Sequence, residues 1–152
     1  MRRQVQLAVL ILAASLAVQA RASSFDDKTP DQQSIAALKA RISQAPPREQ
    51  CFLYAELIHQ MTEVSLQQYQ AGEVDKAGDL LKEIQQIAHR MHLATGDNDK
   101  RLKNAEILLR HTAFRLNEML HSSNSEDRPL VEETLAQVNK AESETMMQVF
   151  RK

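Results

Sequence analysis

Apolar residues recur at three- and four-residue steps along most of this chain, and the runs break at prolines, glycines and short polar stretches. That period is helical. It predicts helices over about 30–44, 47–71, 74–94, 98–121 and 126–150. In the first, Ile35, Leu38 and Ile42 form the stripe, with Thr29 as expected N-cap, Pro30 at the first helical position and Gln32 completing a capping box. Pro46 and Pro47 end it and open the second, whose stripe is Cys51, Tyr54, Ile58, Met61 and Ser65, with Leu57 alongside. Gly72 stands where a C′ glycine belongs. The third stripe is Val74, Ala77, Leu81, Ile84, Ala88 and Met91, and Gly96 stops that helix. The fourth carries Leu102, Ala105, Leu109, Thr112, Ala113, Leu116 and Leu120, with Asp97 as its expected cap. The fifth uses Val131, Leu135, Val138, Thr145 and Val149 after a start at Ser125 or Asp127. Long amphipathic helices with short breaks predict an all-α fold of antiparallel helical hairpins, forming a four- to five-helix bundle or a short helical-hairpin stack.

The fourth helix has a second apolar side. Ile107 and Phe114 fall roughly opposite its main stripe, with His111 between them in a packing seam. A helix apolar on both sides is central in its domain or faces a partner. Ile107, His111 and Phe114 are therefore the candidate interaction residues. Residues 55–66 also echo 105–116, which fits a duplicated hairpin; shared helix composition gives similar matches.

The first 22 residues read differently. Arg2 and Arg3 precede the apolar run "LAVLILAASLAV", and Ala20 and Ala22 supply small residues for cleavage. This is a signal-peptide pattern, and the run is short for a membrane span. The chain is expected to be exported, periplasmic in a Gram-negative cell and otherwise secreted, with no stable membrane anchor after cleavage. Residues 23–29 then form a flexible N-terminus, and 30–150 one domain.

Charge and cysteine content narrow the function. Removing Arg2, Arg3 and Arg21 leaves about 16 basic against 20 acidic residues, which speaks against a nucleic-acid footprint. Cys51 is the one cysteine, so no disulfide framework is possible. Its place near an apolar stripe suits a buried small hydrophobe better than a link between two copies.

The stretch "AGEVDKAGDLL" at 71–81 resembles the turn of a tetratricopeptide repeat, with Gly72 at the turn, Ala77 five residues on and Ser65 at the small position of the first helix. The resemblance covers 59–92 and implies an αα-hairpin. Met61 stands where that family has its tryptophan and His89 where it has its closing proline. Residues 72–92 are also similar to the last helix of exported four-helix b-type cytochromes, through Gly72, Val74, Ala77 and His92, which implies His92 as a haem ligand. More broadly, the chain resembles small exported helical proteins of bacteria that carry no assigned activity.

"AHRMHLATGD" at 88–97 invites a metal reading. Measured from Ile84, however, His89 turns about 140° away and His92 about 80°, so the pair does not converge on a core. Met61 and Met91 fall on core stripes, where methionine fills gaps. The steps Glu56-x-x-His59 and Glu118-x-x-His121 match a di-iron pattern, but Glu56 and Glu118 face away from their stripes and the two histidines sit at different depths. No nucleophile elbow, phosphate loop or H-E-x-x-H is present. The expectation is an exported, non-catalytic helical protein that needs no cofactor and acts by protein–protein contact or self-association. A haem- or copper-binding carrier using His92 is the alternative.

Overall fold

The computed structural model describes residues 30–91 and 99–151. Five helices, and no strand, are found among these residues: α1 (Gln32–Gln44), α2 (Pro47–Gln70), α3 (Val74–Met91), α4 (Asp99–Ser122) and α5 (Arg128–Phe150). The fold is all-α, as the apolar period predicts. The expected signal peptide at 1–22, the stretch 23–29, the end of the third helix at 92–94, Gly96 and the Asp97 cap lie outside the described residues.

The start of α1 differs from the sequence reading, and α5 begins at one of its two candidate caps. Asp31, not Thr29, is the N-cap of α1. Its Oδ1 accepts from the Ser34 amide at 2.7 Å, and the Ser34 hydroxyl lies 3.0 Å from the Asp31 amide, closing a capping box three residues wide. At α5, Asp127 takes the cap position without a side-chain bond. Asn124 does that work one turn earlier: its Oδ1 accepts from the amides of Glu126 and Asp127 at 2.9 and 2.8 Å.

Between α2 and α3 the chain reverses through a Schellman turn. The Glu73 amide donates to Gln68 O at 2.8 Å and the Gly72 amide to Tyr69 O at 3.1 Å. Gly72 sits at φ +79°, the left-handed region that a Cβ disfavours. The Ser65 hydroxyl then donates to Ala77 O at 3.0 Å. That bond ties the start of α3 to α2 at the two small residues the repeat resemblance singled out.

The helices assemble as a stack of hairpins. α2 packs on α3, on α4 and on α1, while α5 packs on α4 and on α3; α2 and α5 lie diagonally and touch through Cys51 and Thr145, and α3 does not pack on α4. The first helices of the two hairpins therefore lie side by side, and so do the second helices. Cross-links between α2 and α4 keep a nearly constant spacing, His59 to Thr112 and Glu63 to Arg115, so these helices run parallel. Gln85 of α3 donates to the Thr134 hydroxyl of α5 at 2.9 Å in the other layer. Leu57 faces α1 and His59 faces α4. These residues point about 200° apart on a helix, so α1 and α4 flank α2 on opposite sides.

Centrality thus belongs to α2, not to the two-sided α4. Leu53, Ala55, Ile58, Met61 and Thr62 point in different directions from α2, and none is exposed. Every buried threonine is satisfied along its own helix: Thr62, Thr112, Thr134 and Thr145 donate to the carbonyls of Ile58, Leu108, Leu130 and Ala141 at 2.8–2.9 Å.

Candidate functional site

Among the described residues nothing covers the second apolar side of α4. Ile107 is 51% exposed and Phe114 58%. Neither α1 nor α5 folds over them, because α1 sits beyond α2 and α5 meets the main stripe. All the exposed large hydrophobics among the described residues lie on this last hairpin: Ile107 and Phe114 on α4, Met146, Met147 and Phe150 on α5. Arg110 pairs with Glu142 across the hairpin at 3.6 Å. Ile107 precedes Arg110 by one turn and Met146 follows Glu142 by one turn. In an antiparallel pair those steps bring Ile107 and Met146 to the same level on the same side.

Sequence reading missed the α5 contribution. The signal was present in "TMMQVF" at 145–150, which holds more apolar residues than one stripe uses. It also placed His111 wrongly. His111 is exposed rather than held in a packing seam, and its ring lies 5.2 Å from that of His59. A stripe position shows which way a side chain points, but not whether a neighbouring helix covers it.

His59 is the better-anchored partner. Its Nδ1 lies 3.1 Å from the Thr112 hydroxyl, whose own proton goes to Leu108 O at 2.8 Å. The Thr112 oxygen must therefore accept, so His59 carries its proton on Nδ1 and leaves Nε2 as an acceptor. Burial lowers the His59 pKa; Glu63 opposes that shift, and His111 and Arg115 add to it. Beside it, Arg115 forks onto Glu63 with Nε–Oε1 2.7 Å and Nη2–Oε2 3.1 Å, and also contacts Glu118. The fork holds the Glu63 carboxyl below its ordinary range and raises Arg115. On the opposite flank of α4, Arg110 serves two carboxylates, Glu106 and Glu142. Burial, then the neighbouring Glu106, pushes the Glu142 carboxyl up.

The residues that prompted metal chemistry are dispersed. Met61 and Met91 are both in the core. His121 is exposed at the end of α4, with Nδ1 2.6 Å from Asn117 O. His59 lies level with Thr112, nine residues short of His121, or about 14 Å along the helix. His89 is exposed on α3, and His92 lies outside the described residues. Among the described residues no group of three or more His, Cys, Asp or Glu is gathered to hold a metal ion. Cys51 is buried, as its position near the stripe predicts, and its thiol is pushed up to about 11 by desolvation, against a lowering contact with Thr145. No helix among the described residues is long and apolar enough to cross a membrane. No family model, curated protein or solved structure matches this chain.

Proposed function

We propose that this chain is an exported helical protein that acts by binding another protein surface, without catalysis of its own. The outward side of the α4–α5 hairpin is its contact face. The half exposure of Ile107 and Phe114 on the hairpin that ends the stack carries this reading. Apolar side chains grouped on one face gain most by being covered. The polar groups beside them, His111, Arg110 and Glu142, are ones an interface can pair with and thereby orient. Export rests on the N-terminal pattern at 1–22. The partner is another exported protein or a second copy of the chain.

The test sizes the protein at several concentrations and uses it as bait in an envelope extract. Both measurements are repeated with Ile107→Lys and Phe114→Lys. The proposal expects self-association or a recovered partner, lost in both variants. A monomer throughout, recovering the same proteins before and after substitution, would sink it.

A further inference from the structure

A second site lies on the other side of the molecule, in a cleft of about 320 Å³ between α1, α2 and α3. Because α1 and α3 both run antiparallel to α2, the lining forms levels one helical turn apart. Lys39, Glu83 and Leu57 form one end, Ile42, Ile87 and Tyr54 the middle, and Arg90 and Gln50 the other end, with Ser43 next to Ile42 on the side towards them. The floor is apolar, since Ile42, Leu57 and Ile87 are core residues. The two ends differ in charge. At one, Lys39 and Glu83 close on each other at 2.6 Å and neutralise that end. At the other, Ser43 is committed to Ala40 O and Gln50 to Ala45 O. Arg90 there has no ion pair or hydrogen bond among the described residues. The Tyr54 hydroxyl between the ends likewise has no hydrogen-bond partner among the described residues.

We infer that this cleft binds a small amphipathic carboxylate. The acid group forks onto the Arg90 guanidinium, and the apolar body lies over Ile42, Leu57 and Ile87. An unpaired guanidinium presents the planar donor pair that a carboxylate matches. The seven residues from Glu83 to Arg90 span about 10 Å, which sets the length of ligand that fits. The Lys39–Glu83 pair gives a cationic head no free carboxylate at the far end. Pockets of this size with an apolar floor and few uncommitted polar groups are how proteins hold small molecules. This site shares no residue with the α4–α5 face, and its ligand would bind whether or not that face has a partner.

The test titrates the protein with octanoate, octanol and octyltrimethylammonium, following the methyl NMR signals of Ile42 and Ile87. Octanoate is expected to shift both signals saturably, at least ten-fold tighter than octanol, with no saturable shift from the cation. Arg90 is exposed, so Arg90→Gln leaves the fold intact; it is expected to bring octanoate down to the affinity of octanol, while Arg90→Lys keeps part of the difference. The inference is overturned if octanoate gives no saturable shift, if octanoate and octanol bind equally, or if Arg90→Gln leaves octanoate binding unchanged.

Discussion

The imidazole of His111 lies 5.2 Å from that of His59, tilted by 40°, across the seam where α4 runs beside α2. The two rings differ in setting. His59 is half-buried and donates from Nδ1 to Thr112, whereas His111 stands in solvent. The inner ring titrates below its ordinary range because gaining a proton there means charging a group stripped of water.

That shift gives a stability profile. The folded pKa of His59 is lowered from 6.5, so as pH falls through that value the unfolded chain takes up the proton first. The contribution is fully present above 6.5, declines as pH drops towards the folded pKa, and stops changing once both forms are protonated. Urea midpoints measured between about pH 8 and pH 5 should fall on the acid side. His59→Gln keeps an N–H for Thr112 without titrating, and should flatten that part of the curve. A slope unchanged in the variant would assign it to another group. Glu63 acts lower down: its carboxyl is depressed from 4.5, so its contribution is lost only as pH falls below that value.

Glu63 and Arg115 join α2 to α4 by a fork, yet their side chains are 21% and 31% exposed. Solvent screening limits such a pair to about 1 kcal/mol or less. Arg115→Lys should lose much of that, since an ammonium cannot make two parallel bonds. A double-mutant cycle with Glu63→Gln, read by urea unfolding, checks both statements. Coupling that Arg115→Lys fully preserves would show that charge alone matters here.

Gly72 should resist replacement for a backbone reason. No atom lies within 4 Å of the Cβ it lacks, so space is not limiting, but φ is +79°. Gly72→Ala is expected to cost about 1 kcal/mol and Gly72→Asn less, because asparagine enters the left-handed region more readily. Thermal melts of the two variants give the order.

How far the sequence reads depends on the level of structure. Periodicity located all five helices, and the third stripe, from Ala77 to Met91, is buried as drawn. The spacing in "TPDQ" points to Thr29 as the α1 cap, but "DQQS" overlaps it with a second acceptor–donor pair at the same step. Asp31 prevails with its reciprocal bonds to Ser34. The central place of α2, the exposure of His111 and the cleft at Arg90 depend on which helices lie side by side. That is long-range packing, and one helix's own stripe does not encode it. Ile107 and Phe114 were legible as an extra face; their lack of cover was not.

Whether that face belongs to the fold can be measured without knowing any partner. Leu109 is fully buried on the main stripe of α4, and Leu109→Ala should cost about 2–5 kcal/mol through lost contacts and a residual cavity. Ile107 and Phe114 on the same helix are half-exposed, so Ile107→Lys and Phe114→Lys give up little burial, and the lysine stem still covers part of the helix. Their unfolding free energies, read from urea titrations, should stay within about 0.5 kcal/mol of the parent chain. A large loss in either would make these side chains supports of the domain itself. Near-neutral stability, together with loss of association in the same variants, would separate the contact face from the core that carries it.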